Sequence, residues 1–360
     1  MDTASGDAAR TPAGRAAEIL TDVSGVTDDW LTRAVGFPVS CEGIAPLGEG
    51  HMADSYLVTV GDAPWPALVL KITSADAGSA AAAREHRSYE VEAGFYTELA
   101  PRVSARVPHC HWAAYDPGSG RYGVLLEHIA TGHCGNQLTG LSPDDVTRTL
   151  EEVAALHAGR WGWAGLRGIG WLNRYSAEYR EQSRRRVRDI VPDFLARHGD
   201  ALSADAVTMV EVLAEHAGGY DRRGQDGVPT LAHGDLRADN LILGGERVCL
   251  LDWQTAFAGN ALADVSYLLG GSVPVEDRRR HEHDQLRIYH HALTAHGVDL
   301  SWDRCWAAYR RYAFEGLFTA VISGTRLKRS DRGDQLFVTM TERAAQHALD
   351  LRSAEMLISG

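Results

Sequence analysis

The sequence predicts an α+β protein of two unequal lobes, a small strand-rich one followed by a larger one made mostly of helices. Two observations carry this. Between Val39 and Glu127, short apolar or alternating runs are interrupted by Gly and Pro, as strands are, with one helical stretch among them. Beyond Ala130-Thr131-Gly132, apolar residues recur at helical steps for nearly all of the remainder. The expected divisions are a disordered tail at 1–15, an N-lobe over 16–130 and a C-lobe over 131–360. No internal repeat is visible.

In chain order, Thr27 is placed to cap a short helix through Asp28-Asp29-Trp30-Leu31 that ends at Gly36-Phe37-Pro38. Pro46-Leu47-Gly48-Glu49-Gly50-His51 separates two strands, of which Tyr56–Val60 is the second. Ala67–Ile72 reads as a buried strand ending at a charge, Lys71. Ala81–Leu99 is expected as one helix, with Tyr89, Glu92, Phe95, Tyr96 and Leu99 on a face that turns Glu92 inward. Strands at 107–115 and 122–127 flank the turn Asp116-Pro117-Gly118-Ser119-Gly120. In the helical lobe, Leu241–Leu243 and Val248–Leu251 around Gly244-Gly245 give a hairpin signal.

Bulk properties narrow the function classes. A net charge of −12 disfavours nucleic acid as a partner and suits a cationic small substrate as well as a plain solvated surface. No apolar run reaches the ~20 residues that span a bilayer, and Met1-Asp2-Thr3-Ala4 lacks a basic-then-apolar start, so a cytoplasmic protein without membrane partners is expected. Five scattered cysteines with no C-x-x-C pair argue against a disulfide framework. His109-Cys110-His111 and His133-Cys134 invite a metal reading, but neighbours on a strand point to opposite faces, so half-buried strand residues are expected instead. The runs Arg184-Arg185-Arg186 and Arg278-Arg279-Arg280 read as solvated faces.

The chemistry concentrates between His233 and Asp252. His233-Gly234-Asp235-Leu236-Arg237-Ala238-Asp239-Asn240 is followed, after an apolar run, by Asp252-Trp253-Gln254. One carboxylate to align an acceptor hydroxyl and two oxygen ligands for a metal are what phosphoryl transfer from a magnesium nucleotide requires. Lysine occurs only at Lys71 and Lys328, so a lysine retained inside a strand points to a site that needs a compact ammonium group rather than a planar guanidinium.

A Gly-rich turn, a strand lysine, a helix glutamate in Glu92-Ala93-Gly94-Phe95-Tyr96, a short connector and the Asp/Asn/Asp set stand in that order. The chain thereby resembles the aminoglycoside phosphotransferase and choline kinase superfamily, most closely its ecdysteroid kinase-like branch, over roughly residues 27–350. The resemblance implies a two-lobed protein-kinase-like fold, ATP and Mg²⁺ as cofactors, and a hydroxylated small molecule as acceptor. It implies Asp235 as catalytic base and Asn240 and Asp252 as magnesium ligands. Lys71, held by Glu92, would grip the α/β-phosphates. Gly50, His51 and Met52 would offer their backbone to phosphate, though the turn has Ala53-Asp54 where a further glycine would stand. Glu127 and Ile129 would meet the adenine edge, with Leu126 gating the pocket. Asp264 would brace the catalytic loop and His233 would shape it. Arg237 stands open between neutralising the transferred phosphoryl group and a structural part.

The 12 positions from Asp252 to Asp264 leave no room for a phosphorylatable activation segment, and no A-P-E follows. A protein kinase is therefore the alternative rather than the expectation, and a nucleotide-binding pseudokinase scaffold is the other. The resemblance also implies that the terminal helices wall the acceptor cleft. Trp302, Trp306, Tyr309, Tyr312, Phe314 and Phe318 are expected as core more than as pocket, with Asp303, Arg310, Glu315 and Arg326 as polar candidates. Antibiotics, sterol-like alcohols and other hydroxylated metabolites are all compatible acceptors.

Overall fold

The computed structural model describes residues 17–48, 52–173, 177–217, 227–326 and 331–358. The expected tail, and Gly50 and His51 of the Gly-rich turn, lie outside the described residues. The chain divides into two compact units, one of residues 1–102 with 108–130, the other of residues 103–107 with 131–360.

The first unit opens with α1 (Asp28–Val35), whose N-cap Thr27 accepts the Trp30 amide at 3.1 Å and whose C-cap Gly36 takes φ 88°. A five-stranded antiparallel sheet follows, made of β1 (Ser40–Pro46), β2 (Ala53–Gly61), β3 (Ala67–Thr73), β4 (Cys110–Asp116) and β5 (Arg121–Glu127). Its order is β1-β2-β3-β5-β4. Trp30 and Leu31 of α1 pack with Val58, Leu68, Leu70 and Leu125 of the strands, and the Trp30 ring meets Trp112 edge-on at 5.1 Å.

The single helix expected over 81–99 is two. α2 (Ala77–Glu85) starts earlier, because Asp76 accepts the Ser79 amide as N-cap, and α3 (Ser88–Gly94) follows, running on into a wider turn at Phe95–Leu99. Between them Arg87 takes φ 54°, a left-handed conformation uncommon for a residue with a Cβ. Its guanidinium is locked by Glu90 at 2.5 and 2.6 Å, and the Tyr89 hydroxyl donates to the Met52 carbonyl at 2.6 Å.

In the second unit the paired segments are short. β6 (His133–Cys134) pairs with β8 (Leu241–Leu243), which pairs with β9 (Cys249–Leu250). β7 (Thr230–Ala232) pairs with β10 (Phe257–Gly259). The expected hairpin is therefore present, while the β7–β10 pair was not legible. The helices are α4 (Pro143–Ala158), α5 (Ala177–His198), α6 (Ala204–His216), α7 (Ala261–Ser272), α8 (Val275–Ala295), α9 (Trp302–Arg311), α10 (Glu315–Arg326), α11 (Asp331–Asp350) and α12 (Ala354–Ile358).

α7 is the centre of this unit. Asn260 caps its start by accepting the Leu262 amide at 2.9 Å, and every residue from Ala261 to Ser272 is buried. A helix buried on all sides belongs in the middle of a core, and among the polar groups it carries, with Ser266 and Ser272, are Asp264 and Tyr267, one turn apart.

Arg278 corrects the reading of its arginine run as solvated. It is 1% exposed, bonded to both Glu282 oxygens at 3.1 Å and to Asp350, whereas Arg280 stays on the surface. The aromatic segment of α9 and the turn after it divides: Tyr309, Tyr312 and Phe314 are buried, Trp302 and Trp306 only partly. His133 and Cys134 form a strand as expected but are exposed rather than half-buried. Among the described residues no helix is long and apolar enough to cross a membrane.

Candidate active site

In the first unit the central feature is Lys71 on β3, set opposite Val124 of β5 and Ser55 of β2. Its ammonium group lies 2.6 Å from Glu92 Oε1 on α3. Glu92 is 2% exposed, and its other oxygen accepts the hydroxyl of Tyr122, a fully buried residue of β5. Tyr122 in turn stacks on Tyr89 with ring centres 4.7 Å apart. A buried carboxylate with two donors is satisfied, and it fixes the ammonium at one place.

Leu126 and Glu127 follow on the same sheet, and Ile129 just beyond it. Leu126 is buried on β5 opposite Val69. Glu127 ends the strand, donating its amide to His109 O at 2.8 Å and accepting the His109 amide at 3.0 Å, which turns its side chain back onto the sheet. Ile129 lies past the strand, partly buried. Met52 directly precedes β2, its carbonyl tied to Tyr89. His109 and His111 bring their rings within 4.7 Å, and burial, reinforced by His109, pushes the His111 imidazole down to about 4.

In the second unit the loop after β7 is shaped by Asp264 of α7. One carboxylate oxygen accepts the His233 amide at 2.6 Å and His157 Nε2 at 3.1 Å. The other accepts the Gly234 amide at 2.9 Å. Burial alone would raise the Asp264 pKa, but the His157 bond, the imidazole charges and the backbone donors outweigh it and hold the group low. Gly234 takes φ 84°, and a Cβ there would stand 2.4 Å from the Thr255 carbonyl, so only glycine fits. His233 Nδ1 accepts the Asp235 amide at 3.2 Å, which leaves Nε2–H to donate to Leu251 O at 2.8 Å.

These restraints present the Asp235 carboxylate, whose side chain is 19% exposed. Oδ2 accepts from the Asn240 amide nitrogen at 2.9 Å and from Arg237 Nε at 3.3 Å. Oδ1 accepts from the Tyr267 hydroxyl at 2.8 Å. Arg237 also reaches Asp239 at 2.8 Å. Burial weakens its hold on the proton, but Asp235 and Asp239 more than compensate, and its pKa rises. Beneath the loop, Gln137 accepts the Ala238 amide, and its own amide donates to Asp239.

The β8–β9 hairpin brings the second acidic residue alongside. The Asn240 carbonyl accepts the Leu251 amide at 2.9 Å, so Asp252 follows the residue bonded to Asn240. Asp252 takes φ 63° and accepts Gln254 Nε2 at 3.0 Å.

The donor chemistry fits magnesium. Because the Asn240 nitrogen is committed to Asp235, its other terminal atom is an oxygen, and Asp252 adds a carboxylate; two hard oxygen donors suit an ion that takes its remaining ligands from water and phosphate. Among the described residues no group of three or more His, Cys, Asp or Glu is arranged to hold a metal.

Of the residues anticipated from sequence, Lys71 and Glu92 meet in one unit, and Asp235, Arg237, Asn240 and the backbone leading into Asp252 meet in the other. Tyr122, Tyr267, His157 and Gln137 were not anticipated. For Tyr267 one signal was present, its place three residues after Asp264 in an apolar helix, since such residues share a face.

The sequence matches the profile of the phosphotransferase enzyme family over residues 43–310. The chain belongs to this family. No curated protein is similar to this phosphotransferase family member in sequence. Among solved structures it is similar to a choline kinase from Cryptosporidium parvum Iowa II, at TM-score 0.57 and 11% identity, over 95% of this chain and 94% of that one. A protein from Ralstonia eutropha JMP134, described as a candidate aminoglycoside phosphotransferase, matches at TM-score 0.54 and 18% identity over 90% and 97%. The GDP complex of wild-type aminoglycoside 2'-phosphotransferase-IIIa matches at 0.53 and 15% over 85% and 93%. These likenesses establish the two-lobed kinase-like fold, with its small β-rich part and larger helical part.

Proposed function

We propose that this phosphotransferase is a kinase of small molecules, moving the terminal phosphoryl group of ATP to a hydroxyl group of the acceptor. The observation that carries the reading is the state of Asp235: a partly exposed carboxylate at the rim of a rigid loop, bonded to Asn240, whose own carbonyl is hydrogen-bonded to the residue before Asp252. Choline and aminoglycosides, the acceptors in the names of two structural neighbours, are small hydroxylated cations and support the same class. A bound GDP in one neighbour supports nucleotide binding and makes GTP a donor to test beside ATP.

In this reading Asn240 and Asp252 hold Mg²⁺, which neutralises charge on the β- and γ-phosphates when bound. Lys71, kept in place by Glu92, binds the phosphates. Asp235 aligns the acceptor hydroxyl for in-line attack and takes its proton late, because three donors already compete for its lone pairs and a loose transition state asks little of a base. Arg237, shared between Asp235 and Asp239, would balance charge on the transferred group. Leu126, Glu127, Ile129 and the backbone at Met52 would seat the nucleotide.

Between Asp252 and α7 the chain has only a turn and β10, which supports a small acceptor over a protein segment. The test is magnesium-dependent consumption of ATP or GTP in the presence of choline, aminoglycosides and sterol-like alcohols, with casein as a protein control. Consumption driven only by the protein acceptor would shift the assignment to a protein kinase. Nucleotide binding without consumption over the whole panel would shift it to a scaffold.

A further inference from the structure

α7 holds the loop in two ways. Asp264 fixes backbone, taking the His233 and Gly234 amides. One turn later Tyr267 reaches a side chain, donating its hydroxyl to Asp235 Oδ1 at 2.8 Å. The Tyr267 ring is 2% exposed and packs among Ala320, Leu336 and Met340, with Leu138 against them. A phenol so enclosed has little rotational freedom, so its hydroxyl is delivered to one place. Asp235 Oδ2 already serves Asn240 and Arg237, whereas Oδ1 has Tyr267.

We propose that Tyr267 is a positioning residue for phosphoryl transfer: its hydroxyl locks the Asp235 carboxylate in one rotamer and leaves the remaining lone pair of Oδ1 as the one that meets the acceptor hydroxyl. This rests on the reading that Asp235 aligns the acceptor. A carboxylate offers about four lone-pair directions; two on Oδ2 and one on Oδ1 are taken, so the fourth sets the approach of the acceptor. Burial and the neighbouring Asp235 charge keep the phenol protonated and therefore a donor. Without the hydroxyl, the carboxylate can rotate about its Cβ–Cγ bond and present either oxygen, and the near-attack geometry is diluted.

The test uses the full-length protein as wild type, Tyr267→Phe, Tyr267→Leu and Asp235→Ala. Initial rates of phosphate transfer from labelled ATP and GTP are measured over the choline, aminoglycoside and sterol-like alcohol panel, with thermal unfolding and the downfield hydroxyl-proton NMR resonance of Tyr267. Tyr267→Phe keeps the ring, so it should fold with no more loss of stability than one hydrogen bond carries, lose about ten- to a hundredfold in kcat, the range for one hydrogen bond to a charged group, and leave the nucleotide KM within about twofold. Tyr267→Leu should lose kcat and stability together. The hydroxyl resonance should move upfield in Asp235→Ala.

Wild-type kcat in Tyr267→Phe would overturn the proposal, as would a loss appearing equally in nucleotide KM or a hydroxyl resonance indifferent to Asp235. If Asp235→Ala is dead while Tyr267→Phe is unimpaired, only the role of Tyr267 fails. If the wild type transfers no phosphate, or Asp235→Ala remains active, the kinase reading fails and the proposal with it.

Discussion

Replacing Asp264 by Asn tests whether the loop is held by charge rather than by shape. The carboxylate, 1% exposed, takes bonds from His233 N at 2.6 Å, Gly234 N at 2.9 Å and His157 Nε2 at 3.1 Å. Hydrogen bonds to a charged group contribute about 1.5–3 kcal/mol each. Asparagine keeps one oxygen and turns an NH₂ group toward at least one of these donors, so bonds are lost and a donor is left buried without a partner. A destabilisation of about 3–5 kcal/mol follows, the usual result of removing one member of a buried charged set.

Urea denaturation followed by tryptophan fluorescence measures it, with Trp253, buried and 4.6 Å from the His233 ring, as a local reporter. For m-values of about 1–3 kcal/mol per molar, the midpoint should fall by at least about 1 M. The effect carries a pH signature. The folded pKa of Asp264 is depressed below its ordinary 3.8, so its stabilisation is fully present above 3.8 and is lost as pH falls further toward the folded value. The gap between wild type and variant should be constant near neutrality and close in strong acid. An unchanged midpoint at pH 7, or a gap indifferent to acid, would refute the role given to this carboxylate.

Lys71→Ala should weaken nucleotide use, with kcat/KM down about a hundredfold or more in steady-state assays, and Lys71→Arg should not rescue it, since a planar fork does not replace a point ammonium. Arg278→Ala should cost about 3–5 kcal/mol in urea by stranding Glu282 and Asp350. Glu282, which burial would raise but His347 and Arg278 hold down to about 2, stabilises the fold above pH 4.5, and that contribution fades as pH falls toward 2. The variant should therefore lie closer to wild type in acid than at pH 7. Asp252→Ala should abolish the gain in nucleotide affinity that magnesium gives, read by titration calorimetry with and without the ion, and lower kcat about a thousandfold.

What the sequence disclosed was local. Asp235, Arg237 and Asn240 stand within six residues of one another, so their grouping needed only a tight loop, and Lys71 with Glu92 needed one strand and one helix. What it hid was distant or looked like core. Tyr267 sits 32 positions from Asp235 and Tyr122 sits 30 from Glu92; in apolar stretches both read as packing, which their rings also are. The break at Arg87 was invisible because arginine is a good helix former, and the left-handed turn depends on its pairing with Glu90. Arg278 read as surface because Asp350, its partner, comes 72 residues later. Periodicity gives the face of a helix, but not which polar group at the far end of the chain that face will meet.

Most directly, transfer of the label from γ-labelled ATP or GTP to a small acceptor should be compared in wild type and Asp235→Asn. Magnesium-dependent label on the small molecule from the wild type, and none from a variant with the same unfolding midpoint and nucleotide affinity, is the predicted result. Equal transfer by the variant, or label found only on protein, would contradict the assignment.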